Sequence, residues 1–311
     1  MANIYWVGVR ESDLLGTGSF YKGSITLFGS GKNGNQCLFF GAKTRKDHNN
    51  ASVEFDEFYE KSMIRVLNSD PTAKFMFYNQ SAVQFLNSRL KSSVICTNDE
   101  HVLNILNHKM LCKLWLKKQV SLVPSIQMLG SEITYSSIHN YLGEDCGFVI
   151  QPDFSSGGYS TFVLNMENEK SVLRRIAPTS LYSITPYFEK AIPLNFHAVI
   201  YQNGFQLYPP SIQIVQLTRE QLIYKGADFT AIQMLSDEVL ESAKVYARVI
   251  CERIRKIGYR GVCGIDFIVA RNSVYFMEIN PRFQASTVVL NHELQENGMI
   301  SIHQACLDAF V

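Results

Sequence analysis

Short runs of β-branched and aromatic residues alternate with amphipathic stretches over the first third of the chain. Residues 4–9, 24–28, 37–41, 74–78 and 93–97 have the composition of strands. Apolar positions at helical spacing predict helices over 56–67 and 82–90. Strand and helix in alternation predict a sheet with helices on its faces, an α/β arrangement. The cap-type and acidic run Thr97-Asn98-Asp99-Glu100 then opens one long helix to about residue 119, which Val123-Pro124-Ser125 ends.

Beyond that point the pattern becomes α+β. A smaller unit is predicted from strand 125–129, a helix near 136–141, strand 148–152, a Ser/Gly loop and strand 161–165. Strands at 182–188, 195–202 and 205–207 follow, then a helix from 236 to about 257. The stretch from Pro209 to Asp228 reads as a long irregular connector that either lines a cleft, with Lys225 as a phosphate or carboxylate contact, or forms a structural flap. Two strands, Gly264 to Val269 and Val274 to Asn280, close the pattern around a turn near Arg271-Asn272-Ser273.

Composition narrows the classes of function. Charged residues are 18% and hydrophobic residues 46% of 311, so a soluble chain with two or three packed units is expected. A formal net charge of +1 supplies no field for nucleic acid or an anionic membrane, and neither is expected as a partner. The seven cysteines include no C-x-x-C pair, which indicates neither a zinc site nor a disulfide framework. The opening Met1-Ala2-Asn3-Ile4-Tyr5-Trp6-Val7 lacks a basic region before an apolar one, so a cytoplasmic setting is expected. No G-x-G-x-x-G follows the first strand. Gly29-Ser30-Gly31-Lys32 has Thr26 where a P-loop needs its first glycine and Asn33 after the lysine, so a polar surface loop is expected there.

The closing hairpin carries the chemistry. Alternation puts Glu278 and Asn280 on one face, with Met277 and Ile279 pointing into the core. A three-residue loop would set Asp266 directly across from Glu278. Two carboxylates so placed repel, and a hard divalent cation with oxygen ligands relieves that repulsion. Pro281 ends the strand and delivers Arg282 just beyond the carboxylates, where a guanidinium suits phosphate oxygens or an activated carboxylate. The competing reading is an amphipathic hairpin with a solvated polar face.

The order Gly261, Asp266, Met277-Glu278-Ile279-Asn280-Pro281-Arg282 resembles the C-terminal signature of the ATP-grasp superfamily. The resemblance implies an ATP-grasp fold with an N-terminal α/β pre-domain over 1–98 and an ATP-grasp domain over 99–311, whose lid subdomain covers about 123–181. A C-terminal antiparallel-sheet subdomain would hold ATP against that lid. It implies that Asp266, Glu278 and Asn280 bind Mg²⁺ (or Mn²⁺) and that Arg282 is the catalytic arginine at the transferring group. By the same resemblance Lys109, before the Val123-Pro124 turn, is a phosphate contact, although a lysine on a helix is by default a solvated charge. The loop residues Ser155, Ser156, Gly157 and Gly158 would cover the phosphates, and Gln151 stands where the family has a lysine. Thr185, Tyr187 and Phe188 resemble the adenine hinge. Asn195 falls near the usual ribose acid, for which Glu189 is a substitute. His197 reads as a strand residue and not as a catalytic base.

The resemblance implies an ATP- and Mg²⁺-dependent ligase that activates a carboxylate as an acyl phosphate and joins it to an amine, forming an amide or peptide bond. Small-molecule or peptide carboxylates and amines would be its partners, and a homodimer is compatible with the reading. A thiol on a carrier protein, a phosphate acceptor, and a catalytically degenerate ATP-binding module are the alternatives.

Overall fold

The computed structural model describes residues 3–28, 36–39, 52–143, 147–153 and 160–311. Strands β1 (Ile4–Arg10), β2 (Gly23–Phe28) and β3 (Gln36–Phe39) precede helix α1 (Ser52–Ser69). Strand β4 (Lys74–Phe77), the short helix α2 (Ser88–Lys91) and β5 (Val94–Ile95) complete a parallel sheet in the order β3-β2-β1-β4-β5. A parallel strand buries both faces, which is why β1 carries no charge from Ile4 to Val9. Tyr5 and Val7 pack with Ile25, Met63 and Phe75 on one face, and Trp6 points the other way into a separate cluster.

Two helices predicted whole are broken. Residues 80–85 form a 3-10 turn, and α2 starts afresh at Ser88 with Asn87 accepting from the Leu90 N–H at 3.1 Å. Asparagine side chains compete for backbone donors and so favour such caps over helix interiors. The long helix is likewise two, α3 (Glu100–Asn107) and α4 (Lys109–Leu116). His108 between them is extended, with ψ at 101°, and caps α4 through its ring. The break sets Lys109 at the first position of a reoriented helix.

The remaining strands join in one antiparallel sheet. They are β6 (Ile126–Leu129), then after α5 (Tyr135–Leu142) β7 (Phe148–Pro152) and β8 (Phe162–Leu164), then after α6 (Glu169–Leu173) β9 (Leu181–Pro186), β10 (Ile192–Ile200), β11 (Phe205–Leu207), β12 (Ser211–Thr218) and β13 (Gln221–Asp228). Helix α7 (Asp237–Lys256) leads to β14 (Gly261–Ala270) and β15 (Ser273–Asn280), and α8 (Thr287–Glu296) and α9 (Ile302–Asp308) follow. The sheet runs β15-β14-β10-β12-β13-β8-β7-β9-β6, with β11 added on β10. The predicted irregular connector is therefore a regular hairpin, β12–β13, turned at Arg219 and Glu220. The extra residue Lys225 on β13, opposite Ile214 and Val215, forms a bulge that shifts the pairing by one residue and hides the strand period from the sequence. Lys225 on this hairpin is exposed.

One end of the sheet, β6 to β9, packs Phe148, Ile150, Leu164 and Ile184 against Ile138 of α5. The other end packs Phe196, Ile265, Phe267 and Phe276 against Ala243, Ala247 and Ile250 of α7. That helix is well specified at both ends, by acids Asp237 and Glu238 in its first turn and by Arg253, Arg255 and Lys256 in its last. A third cluster ties the two sheets together, where Trp6 meets Phe283 and His303 of α9. Among the described residues no helix is long and apolar enough to cross a membrane.

Candidate functional site

The β14–β15 hairpin brings the carboxylates together by a route the sequence did not suggest. Its turn has two residues, Arg271 and Asn272, both left-handed with φ of 50° and 57°, and not three. Such a turn alone would misalign the pair. A bulge at Met277 restores the register, and Asp266 pairs with Glu278. Met277 is consequently half-buried on the side of Tyr275, while Phe276 and Ile279 take the core positions. The expectation of a core-facing Met277 is thus corrected.

Around this pair the polar groups are convergent. Asn280 Nδ2 donates to Asp266 Oδ2 at 2.8 Å and lies 3.4 Å from Glu278 Oε1. Asn195, directly across from Asp266 on β10, donates to its Oδ1 at 2.6 Å, and Gln213 of β12 adds a bond of 3.1 Å. The structure thus places Asn195 beside a carboxylate, and its own Oδ1 is buried with no partner. Arg282 donates to Asn280 Oδ1 at 2.9 Å and to the Phe283 carbonyl at 3.0 Å, which holds its guanidinium beside the cluster.

Electrostatics mark the cluster as incomplete by itself. Burial, followed by the charge of Glu278, pushes Asp266 up to about 7, against the lowering effect of Asn195, Arg282 and Asn280. Burial also works to raise Glu278, but the charge and hydrogen bond of Lys109 outweigh it and hold that carboxyl below its ordinary range. Two facing carboxylates resist being ionised together unless a cation sits between them. Asp266 and Glu278 are hard oxygen donors that suit Mg²⁺, whereas Asn280 and Asn195 turn their Nδ2 toward these carboxylates and would add an oxygen to the set only on turning over. Among the described residues no three or more His, Cys, Asp or Glu side chains are placed to hold a metal, so the two carboxylates would leave the rest of an Mg²⁺ shell to other oxygens.

Helix α4 supplies the cations. Lys109 is buried and pairs with Glu278 Oε2. Lys113, one turn on, is buried as well, and burial pulls its ammonium down to about 8 although the Glu278 charge opposes this. Sequence reasoning missed Lys113; its i,i+4 spacing from Lys109 was the available signal. The start of α4 is tied to the end of β7, since the Met110 N–H donates to Asp153 Oδ1 at 3.2 Å and His108 Nδ1 stands 2.7 Å from Asp153 Oδ2.

Gln151 pairs with Ser183, and Val149 with Thr185, across β7 and β9. These four side chains share the face opposite the one that Ile150 and Ile184 bury. Thr185 is buried, and the Tyr187 N–H is bonded to the Gly147 carbonyl at 2.9 Å. Phe188 stacks on Tyr275 with ring centres 6.3 Å apart and planes at 13°, so the end of β9 reaches the carboxylate hairpin. Ser155, Ser156, Gly157 and Gly158 lie outside the described residues, as does the Gly29 to Lys32 loop. His197 is fully buried and held down to about 4 by desolvation, as suits a neutral strand residue.

Beside the cluster, Gly264 lies opposite Asn280 and His197. A Cβ on Gly264 would stand 0.9 Å from Gln284 Nε2, so the absence of a side chain there is what seats Gln284. Ser286 Oγ lies 3.3 Å from His197 Nε2. The segment after Arg282 is thereby folded back over the sheet.

A parallel α/β sheet followed by one long antiparallel sheet, with a carboxylate pair on its β14–β15 hairpin, defines the class. The family model for the ATP-grasp domain matches residues 106–286, more than half of the chain, and the chain belongs to that family. The carbamoyl phosphate synthase large chain of two Helicobacter pylori strains is 27% identical over 201 residues, or 62% of this chain. The match spans only 18% of the length of those relatives. The biotin carboxylase domain of Hydrogenobacter thermophilus 2-oxoglutarate carboxylase, solved with MgADP, ADP and bicarbonate, is similar in fold at a TM-score of 0.65 and 12% identity, over 99% of this chain and 70% of that one. An L-amino acid ligase from Bacillus licheniformis is similar at a TM-score of 0.62 and 10% identity, over 99% of this chain and 74% of that one.

Proposed function

We propose that the chain is an ATP- and Mg²⁺-dependent ligase that activates a carboxylate as an acyl phosphate and passes it to an amine. The observation that carries this reading is the pairing of Asp266 with Glu278, bridged by Asn280 and flanked by the anchored Arg282. Mg²⁺ held there would neutralise charge on the phosphate oxygens. Asp266 and Glu278 would hold it, with Asn280 and Asn195 adding oxygens on turning over. Lys109, the loop at Ser155 to Gly158, Gln151 and the Thr185 to Phe188 strand would bind the nucleotide.

In this reading Arg282 faces the group in transfer and stabilises the negative charge of the mixed anhydride. Its bonds to Asn280 Oδ1 and the Phe283 carbonyl fix the guanidinium in advance, so little is lost in ordering it during reaction. The amine then attacks the activated carbonyl through a tetrahedral oxyanion, which collapses to the amide as the C–O bond to phosphate breaks. Inorganic phosphate leaves and the nitrogen loses its proton to solvent. No nucleophilic side chain is required.

The test is ADP release across a panel of amino acids, other carboxylates and bicarbonate, with and without hydroxylamine, which traps an acyl phosphate as a hydroxamate. Amine-dependent ADP release with hydroxamate formation supports the reading. Thiol- or phosphate-dependent release would move the chain to another acceptor. Binding of ATP with no release under any condition would mark a degenerate module.

A further inference from the structure

Lys113 is the unexplained charge of the site. Its side chain is 4% exposed, yet it lies on the same face of α4 as Lys109, one turn further along. An ammonium is costly to bury unless anionic groups face it. The carboxylate nearest to hand, Glu278, is in contact with Lys109. Lys113 is within electrostatic reach of Glu278 and of Asp153, and Asp153 is engaged by the Met110 N–H and His108. The hairpin carboxylates suit a divalent ion, and whatever charge they give to one they cease to give to the lysines.

The position of β7 supplies the second observation. Strand β7 ends at Pro152, and Asp153, two residues beyond Gln151, is the first residue past it. Asp153 is bonded to His108 and to the first turn of α4, so the end of β7 that carries Gln151 lies against the start of the helix that carries Lys113. Gln151 stands where the resemblance leads one to expect a lysine, and it brings hydrogen-bonding capacity without charge.

We propose that Lys113 supplies, from helix α4, the positive charge toward the nucleotide phosphates that Gln151 on β7 does not. The charge has moved from strand to helix across the same cleft. This rests on the reading of the chain as ATP-dependent and deepens it by naming which side chains bear the phosphate charge.

The experiment is calorimetric titration of the parent, Lys113→Gln, Lys113→Met and the double variant Lys113→Gln/Gln151→Lys with MgATP and with adenosine, alongside thermal melting. Loss of one charge-assisted phosphate contact should weaken MgATP binding about tenfold or more and flatten its salt dependence. Adenosine affinity should stay unchanged, which a merely structural role for Lys113 would not allow. The double variant should recover most of the lost MgATP affinity, because the charge is returned from the strand side. Should Lys113→Gln fold poorly, Lys113→Met, which keeps the length and drops the charge, gives the same reading. MgATP affinity equal to that of the parent in a folded Lys113 variant, equal losses for adenosine and MgATP, or no recovery in the double variant overturns the proposal. A parent that binds no MgATP overturns the ATP-dependent reading itself.

Discussion

Asp266 stands opposite Glu278 because β15 carries one residue more than its partner at Met277. The two-residue turn joins Ala270 to Ser273, and an unbulged ladder counted from it would set Asp266 against Met277. Since side chains alternate, the same slip would aim Glu278 into the core beside Ile265. The bulge keeps two buried carboxylates on one face and Ile279 on the other. A local irregularity thus decides whether the hairpin can hold a cation.

Glu278→Gln and Asn280→Ala should abolish ADP formation while each protein still folds, the Glu278 variant melting lower because buried Lys109 loses its carboxylate. Both side chains belong to the polar cluster around Asp266, and neither belongs to the apolar core. Asp266→Asn should raise the Mg²⁺ concentration needed for half-maximal rate. Parent-like activity in the Glu278 or Asn280 variant would sink the metal assignment.

The two apolar neighbours of Glu278 should separate in stability. Ile279 is 3% exposed and packs in the main core, so Ile279→Ala should cost about 2–5 kcal/mol. Met277, half-buried on the bulge, should cost about 1 kcal/mol or less on the same truncation. Urea unfolding of both variants gives the comparison, and similar losses would contradict the bulged register.

Much of this architecture was legible in the chain, and the failures share one physical cause. Strands such as Phe148–Pro152 and Phe205–Leu207 keep a single period from end to end, and pattern alone finds them. Where one residue interrupts a period, pattern misleads. His108 ends one helix and caps the next, and the bulge at Lys225 disguised a whole hairpin as a connector. The bulge at Met277 replaced the expected three-residue turn yet gave the same pairing of Asp266 with Glu278. Residue type found the carboxylates, the amide and Arg282. Lys113 escaped because its i,i+4 spacing from Lys109 is the one local mark it carries, and a lysine so spaced on an amphipathic helix is by default solvated.

Acid should unfold the protein through its buried histidines. His303 is fully desolvated, with its Nδ1 2.7 Å from the Tyr21 hydroxyl, and burial holds it down to about 3. A histidine in the unfolded chain titrates near about 6.5. The unfolded state therefore binds the proton first, and stability present above that value is lost as pH falls toward the folded value. Each such histidine contributes a slope of about 1.4 kcal/mol per pH unit in that window. His303→Gln, which keeps a polar partner for Tyr21 but cannot titrate, should flatten the dependence of stability on pH between about 6 and 4. An unchanged slope would mean that His303 is already protonated in the fold.

Gly264→Ala tests how the segment after Arg282 is seated. The new Cβ would fall 0.9 Å from Gln284 Nε2, and Gln284 is itself 7% exposed. The amide must leave, and overpacking of this kind costs about 1–3 kcal/mol. Gln284 sits two residues beyond Arg282, whose guanidinium is held by Asn280 and by the Phe283 carbonyl. Displacing Gln284 should therefore shift Arg282 and lower turnover more than it lowers MgATP affinity, because in the proposed function Arg282 acts on the group in transfer. Truncating Gln284 as well removes the collision without restoring the seat. In a double-mutant cycle the Gly264→Ala/Gln284→Ala protein should then be more stable than the two single losses predict. Its turnover should stay low. Additive stability losses would show that Gln284 does not occupy the space above Gly264, and parent-like turnover in Gly264→Ala would show that Arg282 is positioned without it.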